Sequence, residues 1–230
     1  MSPTWASALD SRFDLGPRLH VITNGYDPEE LANIAPYDFG HSAFVYAGSF
    51  FPPVRGISPV MTALKHLRET MNGSGEWYFH YYGRQENYVR QEAKQFGVMD
   101  RVVLHGNVPR VEVLSALRGA RAAVVIMSVD DADTMEKKGW VPAKAFEILG
   151  LRTPILLVAP PGSDIETIVE TTGLARRFTG SHINGMAMFL ADAICGSVPE
   201  LKDIEAYAWT SIAERLDTVL REAATGMFAP

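Results

Sequence analysis

Short apolar runs alternate with longer stretches of helical spacing along most of the chain. The apolar runs lie at residues 19–23, 43–48, 77–83, 101–106, 122–127, 154–158 and 175–178. The stretches with helical spacing lie at about 57–72, 85–97, 110–119, 142–151, 163–172 and 183–195. Few polar residues alternate within the apolar runs, as expected of strands that helices cover on both faces. This order predicts an α/β fold over residues 40–200, a doubly wound parallel sheet with strand order 3-2-1-4-5-6.

Three segments outside this alternation have their own predictions. Residues 1–16 are typical of a short helix, and "HVITNGYDPEEL" (20–31) is typical of a strand that runs into an Asn-Gly turn. The polar segment "SVDDADTMEKKGW" (128–140) is predicted to be one long loop after the fourth core strand. A final long helix is predicted over about 202–224, where apolar residues recur at helical spacing. That stripe consists of Ile204, Ala208, Ile212, Leu216 and Leu220.

Composition excludes several classes of protein. The net charge is −6 and the basic residues are scattered, which argues against a nucleic-acid partner or an anionic membrane surface. A small anionic ligand remains open, since it needs only two or three local cations. Cys195 is the single cysteine, so the chain cannot build a disulfide framework or a thiolate metal site. No apolar run approaches the roughly 18 residues of a transmembrane segment, and a cytoplasmic protein is expected.

The segment "GSFFPPVRGISP" (48–59) follows the first core strand, where strand order is expected to reverse. In open α/β sheets ligands bind beyond the carboxyl ends of the strands near this point. Ser58 is predicted to be an N-cap and Pro59 the first helical residue, so free amides and Arg55 would form an anion site. The alternative is a tight turn with a solvated arginine. The G-x-G-x-x-G spacing of a dinucleotide site is absent.

The segment "KKGWVPAKAFEILG" (137–150) follows the fourth core strand and sets two charges into an apolar helix. With Pro142 as the first helical residue, Lys144 lies in the first turn, where the helix dipole disfavours a cation. A bound phosphate would compensate, and Glu147 could accept hydrogen bonds from the two hydroxyls of a ribose. The alternative is a surface ion pair of Lys144 with Glu147.

Weaker candidates follow the other strands. Arg84 lies just after a strand end, and backbone groups of Gly106, Asn107 and Val108 could contact the edge of a nucleobase. An exposed arginine beside an amphipathic helix is the commoner explanation for Arg84, and an ordinary strand-to-helix loop explains residues 106–108 equally well. Helix capping alone explains the Gly-Ser turn in "APPGSDIETIV" (159–169). The histidines show no metal-ligand spacing, and a core or surface role is predicted for each of them. They are His20, His41, His66, His80, His105 and His182.

Taken together, these segments resemble the C-terminal, donor-binding domain of retaining glycosyltransferases of the GT-B fold, the group 1 type. "HVITNGYDPEEL" is similar to the family's V-I-x-N-G-x-D segment, and "VYAGSFFPPVRGI" to its G-R-x-x-x-x-K-G loop. "RVVLHGNVPRVEVLSALRGARAAVVIMS" and "KAFEILGLRTPILL" follow two further family patterns. The resemblance covers about residues 18–223 and implies a Rossmann-like sheet that forms one half of a GT-B fold.

The resemblance implies a role for each segment of the chain. Residues 1–17 would end a missing N-terminal acceptor domain, residues 18–200 would form the donor-binding domain, and residues 201–230 would carry a long helix that packs back on the fold. The implied ligand is a nucleoside diphosphate sugar, and the implied reaction is sugar transfer to a hydroxyl acceptor. No cofactor and no metal site are implied, and "DDAD" (130–133) is interpreted as loop.

The resemblance also implies roles for single residues. Gly48 and Ser49 would contact the diphosphate through their backbones, Glu147 would bind the ribose, and Arg55 and Lys144 would neutralise the leaving diphosphate. Ser49 replaces the family's arginine, and Gly139 stands where the family has the first glutamate of its E-x7-E pair. We therefore keep a non-catalytic nucleotide-binding or protein-interaction member as the alternative. An epimerase or phosphorylase lacks its expected residues.

Overall fold

Six parallel strands form one sheet in the computed structural model, which describes residues 2–71, 75–130, 134–196 and 202–225. The strands are β1 (Ser42–Ala47), β2 (Trp77–Tyr82), β3 (Val102–Leu104), β4 (Ala122–Ile126), β5 (Ile155–Val158) and β6 (Ala175–Phe178). Their spatial order is β3-β2-β1-β4-β5-β6, and each neighbouring pair is parallel. The predicted doubly wound α/β fold and its strand order are confirmed.

Helices cover both faces of this sheet. They are α1 (Pro3–Phe13), α2 (Pro28–Ala32), α3 (Ser58–Met71), α4 (Glu86–Gln95), α5 (Arg110–Gly119), α6 (Met135–Gly139), α7 (Ala143–Gly150), α8 (Asp164–Thr172), α9 (Ile183–Ile194) and α10 (Trp209–Ala224). Short 3-10 turns lie at Gly16–Arg18, Met99–Arg101 and Ile204–Tyr207. No helix within the described ranges is both long and apolar enough to cross a membrane.

The alternation of side chains along the strands divides the core into two layers. Ala43 and Val45 of β1 pack with α5, α7 and α8, whereas Phe44 and Tyr46 of the same strand pack with α3, α4 and α9. All four residues are buried. Because both faces are covered by apolar helix faces, the strands need no polar side, which explains their continuous apolar runs.

The predicted strand at residues 19–23 is wrong. The segment is not in the sheet, and a single bridge joins Tyr26 to Ala208. Tyr26 donates to the carbonyl of Tyr207 (3.0 Å) and accepts from the amide of Trp209 (2.9 Å). The chain therefore pairs with the residues around the start of α10 at Tyr26, just after this segment, and not with the sheet.

Two further boundaries differ from the prediction. The segment 128–140 is not one loop, because the side chain of Thr134 accepts a hydrogen bond from the amide of Lys137 and begins the short helix α6. Residues 131–133, most of the "DDAD" segment, lie outside the described residues. The last helix begins at Trp209 rather than near 202, since Ala208 is extended.

The apolar stripe near the C-terminus is buried only in part. Ile204, Ala208 and Ile212 are buried, whereas Leu216 and Leu220 of α10 are 41% and 58% exposed. Helical spacing therefore located the helix but did not tell which of its turns contact the core.

Candidate functional site

Gly48 ends β1 in a backbone conformation that suits glycine. Its φ is +136°, and a Cβ at this position would lie 3.2 Å from the Nζ of Lys144. Its amide donates to the carbonyl of Tyr82 (2.9 Å), and its carbonyl accepts from the hydroxyl of Tyr81 (3.0 Å). The absence of a side chain thus lets α7 bring Lys144 against the end of β1.

Residues of α4 hold the loop that follows Gly48. The side chain of Gln85 accepts from the amide of Phe50 (2.6 Å) and donates to its carbonyl (3.1 Å). The hydroxyl of Tyr88 accepts from the amide of Ile57 (3.1 Å), and Ser58 Oγ donates to Glu92 (2.5 Å). The predicted N-cap at Ser58 is therefore wrong, because Ser58 is the first residue of α3 and its hydroxyl donates to Glu92 of α4. The amides of Phe50 and Ile57 are also taken, so fewer are free for an anion than predicted.

Arg55 lies between two aromatic rings. Its guanidinium carbon is 4.2 Å from the ring centroid of Phe51 and 4.0 Å from that of Trp140, and a backbone bridge joins Phe51 to Arg55. Both rings are about half exposed, at 55% and 41%. Partial burial lowers the pKa of Arg55. The rings stabilise the cation and fix its plane, and no described carboxylate pairs with it.

Lys144 is the second residue of α7, since Pro142 is the N-cap rather than the predicted first helical residue. Its Nζ donates to the carbonyl of Ala47 (3.1 Å) and lies 4.3 Å from the ring centroid of Tyr46. Burial, and secondarily the charge of Arg55, lower the pKa of Lys144 to about 8. Burial also raises the pKa of Tyr46, so its hydroxyl stays neutral and donates to the carbonyl of Ser49 (3.0 Å).

Glu147 lies one turn further along α7 and pairs with a residue that the sequence analysis missed. Arg110 Nη2 donates to Glu147 Oε1 (2.5 Å), and Arg110 Nη1 donates to Glu30 of α2. The alternative ion pair of Lys144 with Glu147 is not formed. Arg110 is the first residue of α5, directly after the loop that follows β3. Its place at the carboxyl edge of the sheet is the feature of the sequence that could have identified it as a site residue.

The weaker candidates lie at the carboxyl ends of β2 and β3. The amide of Gly83 donates to the carbonyl of Gly106 (2.7 Å), which joins the two loops. Asn107 is exposed and Val108 packs partly against the core. Arg84 is exposed and makes no hydrogen bond or ion pair with any described residue. The predicted site residues thus follow β1, β2 and β3 or lie on α7. The structure places Lys144 beside Gly48 and within electrostatic reach of Arg55.

Three of the histidines form a chain that spacing alone did not reveal. His80 of β2 is buried, and its two ring nitrogens lie 2.9 Å from His41 Nε2 and 2.9 Å from His105 Nε2. The ring of His105 stacks on Tyr82 with 4.1 Å between centroids. Burial, and then the neighbouring histidines, lower the pKa of His80 to about 3. Nothing in the described ranges forms a cluster of His, Cys, Asp or Glu suited to a metal ion.

Gly139, where the family resemblance expects a glutamate, contacts the first helix. A Cβ at this position would lie 2.5 Å from Cδ1 of Trp5 and 3.2 Å from Ser2 Oγ. The start of α1 is fixed by Asp164, which accepts from the amide (3.0 Å) and the hydroxyl (2.8 Å) of Thr4. Trp5 therefore occupies the space into which a side chain at position 139 would extend.

Comparison with solved structures finds the same fold in several glycosyltransferases. A lipopolysaccharide outer core galactosyltransferase, WaaB, superposes with a TM-score of 0.68 at 15% identity, over 96% of this chain and 60% of WaaB. AviGT4, a glycosyltransferase of avilamycin A biosynthesis, gives 0.61 at 18% identity over 95% and 62%. TarM of S. aureus gives 0.61 at 16% identity over 95% and 42%.

The chain spans less than two thirds of the length of these three proteins. No protein family and no curated protein matches it by sequence. The structural likeness covers nearly the whole chain and includes the six-stranded sheet. The chain therefore has the Rossmann-like fold that forms one half of the GT-B glycosyltransferases.

Proposed function

We propose that this chain is the donor-binding part of a retaining glycosyltransferase and binds a nucleoside diphosphate sugar at the carboxyl edge of β1 and β4. The observation that carries the proposal is the pair of cations Arg55 and Lys144, which interact electrostatically and pair with no carboxylate among the described residues. Burial disfavours the charged form of both side chains and lowers the pKa of each. The charge of Arg55 lowers the pKa of Lys144 further. A bound diphosphate would supply the missing negative charge.

The proposed ligand extends from these cations along the edge of the sheet. The diphosphate would lie between Arg55, Lys144 and the backbone of Gly48 and Ser49. The ribose would take the place of Arg110 on the carboxylate of Glu147, since a surface ion pair of this kind contributes little. The base would approach Arg84 and the loop of Gly106, Asn107 and Val108, next to the carboxyl ends of β2 and β3.

In this proposal the chemistry is electrostatic. Negative charge grows on the diphosphate as its bond to the sugar breaks, and preorganised cations stabilise that charge most in a site shielded from water. Arg55 is held by two rings and Lys144 by the carbonyl of Ala47, so neither must reorganise when the charge appears. The acceptor hydroxyl would come from a second domain, and no metal or cofactor is assigned a role.

The comparisons support this proposal through the fold. The three solved proteins described above are glycosyltransferases, and the TarM structure contains UDP. They are also longer than this chain. We therefore propose that the chain alone binds the donor and does not transfer the sugar.

Calorimetry with UDP, ADP and GDP tests donor binding. Arg55→Gln and Lys144→Met should each weaken binding roughly tenfold or more, since a hydrogen bond to a charged group contributes about 1.5–3 kcal/mol. Glu147→Gln should weaken it too, whereas Glu30→Gln, which removes the other carboxylate on Arg110, should not. Lys94→Met serves as the control for an exposed lysine. Failure of the wild-type chain to bind any of the three diphosphates would refute the proposal.

A second candidate, a non-catalytic member of the fold, is favoured by one observation. Trp5 fills the space at Gly139, so the side chain that the family places near the donor sugar is absent and cannot be added unless the side chain of Trp5 moves. The two candidates differ after the missing domain is supplied by fusion. A fusion that binds the donor but neither transfers nor hydrolyses its sugar would favour the second candidate.

A further inference from the structure

The last helix, α10, leaves the folded core after its first turn. Ile212 is buried, and the amide of Trp209 donates to the carbonyl of Tyr26 (2.9 Å). From Ala213 to Ala224 no residue is buried, and ten of these twelve residues are exposed. This part of the helix is about 18 Å long, since each residue adds about 1.5 Å. A helix of this length is marginally stable in water unless another surface packs against it.

One side of the projecting part of α10 is apolar. Leu216, Val219 and Leu220 recur three or four residues apart and therefore lie one above another on the helix. Ala213 and Ala223 extend this apolar row at its two ends. Leu216 and Leu220 are 41% and 58% exposed. The row therefore presents two leucines to solvent where the fold itself supplies no cover.

Two charges of opposite sign border the apolar row along one flank. Arg215 lies beside its start, and Glu222 lies two turns further along on the same flank. Arg215 donates to the carbonyl of Ala206 (2.9 Å), and neither Arg215 nor Glu222 forms an ion pair with a described residue. Asp217 and Arg221, which lie further round the helix, pair with each other (2.6 Å).

The apolar row complements itself when a second copy of the chain lies antiparallel to it. In that arrangement Leu216 of each copy packs against Val219 of the other, with a two-fold axis between the two positions. The same register sets Arg215 of each copy beside Glu222 of the other, so both charge pairs are of opposite sign. A parallel pair would set Arg215 beside Leu220 and leave both charges unmatched. The charges therefore favour an antiparallel second copy.

The folded cores of the two copies would not collide in this pair. Ile212 of one copy would lie level with Ala223 of the other, so each core lies beyond the far end of the other copy's helix. We propose that two copies of this chain associate through antiparallel α10 helices, with Leu216, Val219 and Leu220 as the apolar contact. About three turns of each helix bury little area, so we expect a weak dimer. No proposed donor-binding residue lies on α10, so this proposal does not rest on the proposed function.

Analytical ultracentrifugation of the 230-residue chain tests the pair between about 5 and 500 μM, a range in which a weak dimer forms. The average mass should rise from the 25.3 kDa of one chain toward twice that value. Leu216→Glu and Leu220→Glu should each raise the dimer Kd at least about tenfold, because each sets a charge into the apolar row. Glu214→Arg, on another side of α10, is the control and should leave the Kd unchanged.

Charge reversal tests the antiparallel register. Arg215→Glu and Glu222→Arg should each weaken self-association several-fold, because each sets like charges side by side at two places in the dimer. A mixture of the two variants should associate as strongly as wild type, since each charge then meets its opposite. The double variant Arg215→Glu/Glu222→Arg should also recover the wild-type Kd. Circular dichroism verifies that all variants keep their helix content.

Three results would overturn the proposal. A mass that stays at 25.3 kDa at every concentration would leave the apolar row to a different partner, such as the second domain of the proposed enzyme. A dimer that Leu216→Glu and Leu220→Glu leave unchanged would use another surface. A mixture of Arg215→Glu and Glu222→Arg that associates no better than either variant alone would exclude the antiparallel register. Calorimetry should give the same diphosphate affinity for Leu216→Glu as for wild type, so failure of the dimer and failure of the proposed function are distinguishable.

Discussion

At the scale of single residues, Lys144 shows a conflict between stability and binding. Its ammonium is partly buried beside the charge of Arg55, and its pKa falls from the usual 10.5 to about 8. The carbonyl of Ala47 and the ring of Tyr46 offset only part of the lost hydration. A cation kept at such a cost is typical of a site that binds an anion.

Replacing Lys144 should therefore stabilise the chain. Between about pH 8 and 10.5 the unfolded state binds more protons than the folded state, so wild-type stability rises with pH in that window and the cost is fully present below it. Lys144→Met should raise the free energy of unfolding at pH 7 by on the order of 1 kcal/mol, and the gain should shrink at pH 9.5. Urea denaturation at both pH values measures this. A variant less stable than wild type at pH 7 would contradict the argument.

The same pKa predicts how diphosphate binding depends on pH. Above about pH 8 the free protein loses the Lys144 proton, and binding a diphosphate then requires that the proton be taken up again. The Kd for UDP, ADP or GDP should rise above pH 8 by up to about tenfold per pH unit. In Lys144→Met the affinity should be lower and nearly flat from pH 7 to 9.5. An equally steep rise in the variant would assign the titration to another group.

At the scale of elements, the contact between α1 and α6 fixes the packing beside Trp140. Trp5 of α1 lies where a side chain at Gly139 would project, and Thr4 ties α1 to Asp164 at the start of α8. Residues of α1, α6 and α8 therefore lie together beside Trp140, whose ring also lies over the guanidinium of Arg55. A change in α1 should therefore reach the candidate site through packing.

Restoring a glutamate at position 139 tests that contact. Gly139→Glu should lower the free energy of unfolding by about 1–3 kcal/mol, since overpacking a close contact has a cost of this size. In the double variant Trp5→Ala/Gly139→Glu the two changes should be non-additive, with part of the loss recovered. Urea denaturation of the two single variants and the double variant forms the cycle. Purely additive effects would mean that Trp5 and position 139 do not compete for space.

How far sequence predicts these elements depends on the range of the interactions involved. The strands and crossover helices were predictable because apolar periodicity is local and covered strands have a distinct pattern. The segment at 19–23 was mistaken for a strand because its apolar pattern suits one, whereas the pairing of nearby Tyr26 with Ala208 is a tertiary contact that no local pattern indicates. At the site, the approach of Lys144 to Gly48 followed from topology, whereas Arg110 on Glu147 and Trp5 on Gly139 depend on tertiary contacts.

At the scale of the whole molecule, the histidine chain links the two ends of the sheet. His41 precedes β1 at the amino edge, His80 lies within β2, and His105 follows β3 at the carboxyl edge. The ring of Phe39 packs against His80 and that of Tyr82 stacks on His105. The edge strand β3, its neighbour β2 and the residue before β1 are therefore joined by a chain of imidazoles centred on the buried His80.

Acid should weaken the fold through this chain. The pKa of His80 is about 3 in the folded chain against 6.5 ordinarily, so between these values the unfolded state binds more protons. His80 alone should reduce the free energy of unfolding by up to about 1.4 kcal/mol per pH unit as the pH falls from 6.5. His80→Gln, which keeps two hydrogen-bonding atoms without titrating, should make the decline shallower in urea denaturation from pH 7 to 4. The exposed His182→Gln is the control and should follow wild type. If stability fell as steeply with pH in His80→Gln as in wild type, groups other than the buried His80 would govern acid unfolding.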